Sequence, residues 1–268
     1  MATLSRSPVL PAVAPGERPR TGPAVTLEVV DLRYDGRTLL RDLRLELPAG
    51  QWTCLLGPSG VGKTTLLRLI AGLEEGGRVR IDGHGRAGSI ALMAQQDLLL
   101  PWLSVRDNVL LGHRLRGASR GEFAELAARA DALLERVGLA GRGQAAPATL
   151  SGGMRQRVAL ARTLMEQRPV VLMDEPFSAL DAITRHRLQD LAAELLEGRT
   201  VLLVTHQPTE ALRLSDRIWV LSGRPARLQG PILPKGPAPR DPSDPALARL
   251  QAELLAELLA SARATEAA

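Results

Sequence analysis

The sequence has 268 residues, 45% of them hydrophobic, and a net charge of +5, which suits one globular domain with room for a smaller subdomain. No apolar run reaches the roughly eighteen residues of a membrane span, and the N-terminus lacks the apolar core of a secretory signal. The single cysteine, Cys54, excludes an internal disulfide. Arginines are scattered along the chain and only six residues are aromatic, which argues against a nucleic-acid-binding surface.

The first third of the chain predicts a tail followed by short strands. Residues 1–24 hold five prolines without periodicity, so we expect a disordered N-terminal tail. Residues 26–47 alternate between apolar and polar positions around Asp35-Gly36, which indicates two strands and a turn. An apolar strand at 51–56 leads into a glycine-rich loop and a helix. Further short strands are predicted at 78–83 and 89–95.

The rest of the chain alternates between helices and strands after a helical insertion. Residues from about 96 to 155 predict only helices, at 121–137 and from Ser151 onwards, so we expect a helical subdomain there. Continuous apolar runs predict buried parallel strands at 170–174 and 200–206, and the last core strand is predicted at 217–222. The pattern predicts an α/β fold with a mainly parallel sheet over residues 25–228, followed by a proline-rich linker and a C-terminal helix at 229–268.

Residues 57–64, GPSGVGKT, match the phosphate-binding pattern G-x-x-x-x-G-K-[ST] in full, between a predicted strand and a predicted helix. Lys63 can reach the β- and γ-phosphates, and the Thr64 hydroxyl can bind Mg²⁺. Lys63 is one of only two lysines among 34 basic residues, and a compact ammonium fits between phosphates better than a guanidinium. The predicted nucleotide-binding residues of this loop are Gly57, Pro58, Ser59, Gly60, Val61, Gly62, Lys63, Thr64 and Thr65.

Two acids lie at the end of the predicted strand at 170–174. Asp174 ends this strand, in a position to hold Mg²⁺. Glu175 comes one residue later, where a carboxylate can orient and deprotonate a water that attacks the γ-phosphate. The alternative for Glu175 is a solvated acid in a loop, and the glycine-rich loop favours the catalytic interpretation.

Other polar residues follow predicted strands, whose carboxyl ends face the ligand in α/β sheets. Gln95 ends a predicted strand and can hold a metal-bound water, and His206 is expected to contact the γ-phosphate. Asp181 follows a short turn and is grouped with the nucleotide-binding residues. Tyr34 is the only tyrosine, and its ring can stack on an adenine, although ordinary packing remains the alternative.

Residues 150–157, LSGGMRQR, form a second candidate phosphate cradle. Ser151, Gly152 and Gly153 precede a helical run, and the N-terminus of a helix binds anions well. Two cradles in one small chain raise a question, because only one acidic strand end is available to serve them.

In combination these motifs resemble the ATP-binding subunits of ABC transporters. LSGGMRQR is similar to the family signature, VVLMDEP to its acidic strand motif and SALD to the loop that follows; Gln95, His206 and Tyr34 match its glutamine loop, histidine loop and adenine-stacking aromatic. The resemblance runs from about residue 26 to 222. It implies a P-loop NTPase (RecA-like) core with an N-terminal antiparallel β subdomain and an inserted helical subdomain. It also implies a head-to-tail dimer, in which each ATP lies between the 57–65 loop of one chain and the Ser151 loop of the other.

A narrower similarity concerns importers of nitrate, sulfonate and taurine type, including importers of thiamine-precursor pyrimidines. LLLPWLSVRDNV at 98–109 and LSGRPARL at 221–228 carry it, whereas Ala94 stands where many relatives have phenylalanine. The resemblance implies separate transmembrane permease subunits, indirectly a periplasmic solute-binding protein, and a peripheral position on the cytoplasmic face of the bacterial inner membrane. No nucleic acid is expected as a partner.

The function that these features predict is ATP hydrolysis that powers import of a small solute. Three alternatives are compared with this prediction. A P-loop kinase would need an acceptor site and gives no reason for LSGGMRQR. A non-transport ATPase of the same superfamily would usually carry long coiled coils or two cassettes in one chain. A regulatory module that binds ATP without turnover is disfavoured by Glu175 and His206.

Overall fold

The computed structural model describes residues 22–34 and 36–266. In chain order, its strands are β1 Val25–Tyr34, β2 Arg37–Leu47, β3 Trp52–Leu56, β4 Arg78–Ile81, β5 Ile90–Met93, β6 Val170–Asp174, β7 Thr200–Thr205, β8 Arg217–Ser222 and β9 Arg227–Ile232. The helices are α1 Lys63–Ala71, α2 Val105–Val109, α3 Leu111–Leu115, α4 Arg120–Arg136, α5 Gly152–Met165, α6 Ala182–Leu195, α7 Pro208–Leu214 and α8 Pro245–Glu266. No helix in these ranges is long and apolar enough to cross a membrane.

The strands form two sheets. The larger one has the order β5-β6-β7-β3-β8-β9, with parallel pairing throughout except between β8 and β9. The smaller sheet has the order β2-β1-β4 and is antiparallel. The predicted α/β class, the mainly parallel sheet and the antiparallel N-terminal subdomain are therefore confirmed.

Both faces of the larger sheet are covered, which explains why its strands are continuous apolar runs. Along β3, Trp52, Cys54 and Leu56 join a core that also contains residues of α2 and α4 to α8. Leu55, on the opposite face, joins a second core formed with α1 and the smaller sheet. Because side chains alternate across a strand, one five-residue strand contributes to both cores.

The helical insertion is confirmed. It contains α2, α3 and α4, and α5 is the helix that was predicted from Ser151 onwards. Ser119 and Ser151 accept hydrogen bonds from the backbone N–H groups of Glu122 and Met154, so each serine caps the helix that follows it.

Two features of the larger sheet differ from the sequence-based expectation. Strand β5 ends at Met93, so Gln95 does not end a strand. Strand β9 adds an edge strand within residues predicted as linker, since Pro231 is tolerated where one side of a strand lacks a partner. The core therefore continues past residue 228, and β8 is not its last strand.

The predicted N-terminal tail is only partly covered by the structure. Residues 1–21 and the turn residue Asp35 lie outside the described residues. Gly22 and Pro23, assigned to the tail, are instead attached to the core: the Gly22 N–H donates to the Gly198 carbonyl at 2.9 Å, and the Thr200 hydroxyl donates to the Pro23 carbonyl at 2.7 Å.

Candidate functional site

The candidate site lies at one edge of the larger sheet, where three neighbouring parallel strands end. Strand β3 leads into the loop 57–62, β6 ends at Asp174, and β7 is followed directly by His206. Because β6, β7 and β3 are adjacent and parallel, their carboxyl ends bring these segments together. Residues that are more than 140 positions apart in sequence thus share one site.

The backbone of the loop 57–62 needs glycine at three positions. Gly60 and Gly62 have positive φ values of 76° and 111°, a region that favours glycine. A side chain on Gly57 would collide with the Leu221 carbonyl of the adjacent β8. Gly62 precedes α1 without capping its N–H groups, and no acid lies in the first turn, so the N-terminus of α1 can accept an anion.

Lys63 lies over this loop. Its ammonium donates to the carbonyl oxygens of Gly57 at 2.7 Å and Pro58 at 2.8 Å, and the side chain is buried. Burial is the main cause that lowers the pKa of Lys63. The two carbonyl contacts hold the terminal amine of Lys63 where the loop can receive phosphate.

Thr64 and Asp174 form a pair of oxygen donors beside Lys63. The Thr64 hydroxyl donates to Oδ2 of Asp174 at 2.7 Å, although the two residues belong to α1 and β6. Burial is the main cause that raises the pKa of Asp174, while Thr64 and Lys63 oppose the shift. Hydroxyl and carboxylate oxygens are ligands that Mg²⁺ prefers.

Glu175 follows Asp174 in a strained backbone conformation with φ 51°. Its N–H donates to the Val204 carbonyl of β7 at 2.9 Å, and its carboxylate is buried. One carboxylate oxygen, Oε1, lies 2.7 Å from Nδ1 of the half-exposed His206. The other, Oε2, is buried and has no hydrogen-bond partner within the described part of the chain. Such an oxygen is available to accept a proton from a bound water.

The second cradle occupies the exposed N-terminus of α5. Ser151 and Gly152 are exposed, and Ser151 caps the helix through Met154. Across residues 22–34 and 36–266, no hydrogen bond joins positions 151–153 to the loop 57–65. Within the described residues, the two cradles are therefore not joined by a direct hydrogen bond.

Gln156 is a site residue that the sequence analysis did not single out. Its buried amide donates to the Glu175 carbonyl at 2.9 Å and accepts from the Ala179 N–H at 2.8 Å. It thereby connects the helix of the second cradle to the loop that carries Glu175. Its place within LSGGMRQR was the only sequence signal for this role.

Tyr34, Gln95 and Asp181 are the remaining predicted residues, and each lies in its own local environment. Tyr34 is half-exposed at the end of β1, and its hydroxyl donates to Glu74 at 2.8 Å. Gln95 is exposed, two residues after β5. Asp181 caps α6 by accepting from the Thr184 N–H at 2.9 Å, which lowers the pKa of Asp181.

Comparison with known proteins identifies the family. Residues 40–178, more than half of the chain, match the family model described as ABC transporter. The chain belongs to the ABC transporter family. An uncharacterized ABC transporter ATP-binding protein of Haemophilus influenzae is 49% identical over 241 residues, which are 87% of this chain and 98% of the relative. An aliphatic sulfonates import ATP-binding protein, SsuB 1, of Pseudomonas savastanoi is 47% identical over 227 residues, covering 84% of this chain and 92% of the relative.

Solved structures agree with this assignment. The ATP-binding cassette MJ0796, in a dimeric post-hydrolysis state bound to ADP and Pi, matches 79% of this chain and 99% of its own with a TM-score of 0.70 and 32% identity. The family member described here is thus an ATP-binding cassette that hydrolyses ATP. The kinase and non-transport alternatives are not favoured.

Proposed function

We propose that this chain binds ATP and Mg²⁺ at the loop 57–65, hydrolyses ATP with Glu175, and drives import of a small solute through separate membrane subunits. The observation that carries the proposal is the cluster at the sheet edge: Lys63, Thr64 and Asp174 lie beside the contact between Glu175 and His206. The similarity to aliphatic sulfonate importers supports the direction of transport.

The phosphates of ATP occupy the uncapped N-terminus of α1. Backbone N–H groups of the loop surround the phosphate oxygens, and Lys63 exchanges its two carbonyl contacts for contacts with the β- and γ-phosphates. The half-exposed ring of Tyr34 provides a face for the adenine. The residues assigned to this cradle are those of the loop: Gly57, Pro58, Ser59, Gly60, Val61, Gly62, Lys63, Thr64 and Thr65.

Thr64 and Asp174 fit a Mg²⁺ ion, because a hydroxyl and a carboxylate oxygen that lie 2.7 Å apart form a hard donor pair. With the ion bound, the amide of the exposed Gln95 would hold one of its waters. When bound, Mg²⁺ withdraws charge from the phosphate oxygens and so eases displacement at the γ-phosphate.

Glu175 acts on the attacking water. Its free oxygen, Oε2, accepts the water proton, while Oε1 holds His206 in place. With Nδ1 donating to Glu175, Nε2 is the ring nitrogen of His206 that is left to contact the γ-phosphate, and it donates when the ring is protonated.

The second cradle serves the ATP of a second copy of the chain. Ser151, Gly152 and Gly153 present a helix N-terminus that is exposed and lacks a hydrogen bond to the loop of its own chain in the described ranges. In a head-to-tail dimer, this terminus contacts the γ-phosphate from the far side. Each ATP site is then formed by the loop 57–65 of one chain and the Ser151 cradle of the other, so each chain contributes to both sites of the dimer.

The membrane partner docks on the segment 95–111, which begins at Gln95. Within it, the Trp102 side chain is 75% exposed and Leu98 58% exposed. Arg162 of α5 donates to the carbonyl oxygens of Asp97 and Leu98, so the segment is fixed to the helix of the second cradle. When ATP binding closes the dimer, the permease subunit receives the movement through this segment. The contact lies at the cytoplasmic face of the bacterial inner membrane. A periplasmic binding protein supplies the solute.

Replacing Glu175 by glutamine tests the catalytic assignment. Glu175→Gln retains the shape of the side chain but removes the base, so ATP should bind while hydrolysis falls by about a thousandfold. Phosphate release measures hydrolysis, and size-exclusion chromatography with ATP should detect an ATP-trapped dimer. Glu253→Gln, at an exposed position of α8, is the matched control and should hydrolyse ATP normally. A wild-type rate in Glu175→Gln contradicts the assignment.

A further inference from the structure

The backbone turn that carries His206 is fixed by a buried carboxylate. The Thr205 hydroxyl donates to Oε2 of Glu210 at 2.8 Å and accepts from the Gln207 N–H at 3.1 Å. Glu210 is 2% exposed, and its other oxygen, Oε1, has no hydrogen-bond partner among the described residues. Because His206 lies between Thr205 and Gln207, this carboxylate holds the turn on both sides of the histidine.

Arg185 joins this turn to the loop 176–181. It lies one helical turn after Asp181 on α6. Its guanidinium donates to the carbonyl oxygens of Leu180 at 2.8 Å and Phe177 at 3.3 Å, and to the Gln207 side chain at 3.3 Å. Its Nε lies 3.9 Å from the unpartnered oxygen of Glu210. One planar group thus contacts the loop and the histidine turn together.

The same loop contacts the helix of the second cradle. Gln156 accepts from the Ala179 N–H, and a Cβ on Gly153 would lie 3.0 Å from the Ala179 carbonyl, so the two backbones pack closely. A continuous chain of contacts therefore runs from Gly153 through the loop 176–181 and Arg185 to the turn of His206.

We propose that Arg185 is a positioning residue that couples the Ser151 cradle to His206 within one chain, with Glu210 as its counter-ion. This proposal rests on the proposed function, in which the Ser151 cradle binds the partner's ATP and His206 binds the chain's own ATP. Arg185 then makes the position of His206 depend on whether the partner's site is occupied. The two ATP sites of the dimer hydrolyse cooperatively for this reason.

If Arg185 and Glu210 had a purely structural role, stability and catalysis would be lost and recovered together. Buried ion pairs contribute little net stability, but removal of one partner leaves a buried charge uncompensated. Removal of both partners restores neutrality and should restore stability. It does not restore the hydrogen bonds of Arg185 to Phe177, Leu180 and Gln207. Stability and catalysis should therefore separate in the double variant.

The test measures hydrolysis of Mg·ATP by the purified full chain and unfolding by denaturant. Arg185→Gln should lower kcat by about ten- to a hundredfold, because misplaced catalytic groups cost this much, with KM within about twofold of wild type. The Hill coefficient should exceed 1 in wild type and fall to 1 in the variant. Arg185→Lys keeps the charge but cannot make the forked contacts, so it should fold and show the same loss. Arg187→Gln, at an exposed position of α6, is the control.

The double variant Arg185→Gln/Glu210→Gln should recover stability relative to Arg185→Gln without recovering kcat or cooperativity. Recovery of both together, a wild-type Hill coefficient of 1, or unchanged kcat in Arg185→Gln and Arg185→Lys would each overturn the proposal. Failure of the proposed function looks different: wild-type chain would then not hydrolyse ATP, or Ser151→Arg would leave hydrolysis unchanged.

Discussion

Lys63 is held by the loop that is proposed to bind phosphate. Its ammonium bonds two loop carbonyls, at Gly57 and Pro58, and is nearly excluded from solvent. Anionic phosphate oxygens bind an ammonium more strongly than neutral carbonyls do. When nucleotide binds, the Lys63 ammonium therefore only exchanges the two carbonyl oxygens for phosphate oxygens, and it need not move into the loop from elsewhere.

Removal of this charge should abolish most of the affinity for ATP. Lys63→Ala loses two charge-assisted contacts with phosphate, so the Kd for ATP should rise by about a hundredfold or more. Calorimetry measures the Kd, and circular dichroism checks that the fold is intact. Lys235→Ala removes the other lysine, which is exposed, and should bind ATP normally. Equal affinities in the two variants would exclude the assigned role of Lys63.

The residues that the sequence predicts best are those whose role depends on a local motif. The glycines of the loop 57–62 and the acids that follow β6 belong to short patterns whose chemistry is readable without the fold. Gln156 and Arg185 are different, because their polar partners at Glu175 and Gln207 come from other elements of the chain. No sequence period marks such contacts, so they became visible only in the structure.

At the scale of elements, the proline-rich C-terminal segment is attached to the core, although its composition predicted a linker. Arg240 in this segment is buried and its guanidinium donates to the carbonyl oxygens of Leu212, Ser215, Pro234 and Lys235. Leu212 and Ser215 lie at the end of α7, where carbonyl groups lack helical partners. Arg240 therefore completes α7 and fixes the start of the segment that leads to α8.

Arg240→Ala should destabilise the protein by about 2–4 kcal/mol, because buried carbonyl groups lose a charged donor. Chemical denaturation measures the free energy of unfolding. Arg249→Ala, at an exposed position of α8, provides the control and should change stability by less than about 0.5 kcal/mol. A loss as small as that of the control would mean that the segment is a linker after all.

The exposed segment around Trp102 carries the proposed contact with the permease. Trp102→Glu places a charge in an apolar interface, so assembly with the membrane subunits should fail while ATPase activity of the isolated chain persists. Co-purification of the transporter measures assembly. Val30→Glu is the matched control, because Val30 is 78% exposed and belongs to the smaller sheet. Normal assembly of Trp102→Glu would move the docking surface elsewhere.

At the scale of the whole molecule, the described residues contain two candidate phosphate cradles. The cradle at Ser151 belongs to the helical insertion, and the loop 57–65 belongs to the sheet edge. The sequence predicted both the helical insertion and the mainly parallel sheet. The match to a dimeric cassette agrees with a paired assembly. In the proposed dimer, Ser151 of one chain contacts the ATP that is bound by the loop 57–65 of the other chain.

A mixing experiment tests this claim most directly. In the Glu175→Gln background, which should dimerise with ATP, one preparation carries Lys63→Ala and another Ser151→Arg. Neither should pair alone, because each can build only defective sites. Their mixture can form one site with an intact Lys63 from the second preparation and an intact Ser151 from the first, so size-exclusion chromatography should show ATP-dependent pairing, weaker than that of the parent. Pairing of the parent but none in the mixture, even at high protein concentration, would contradict the account and place both cradles on one ATP within a single chain.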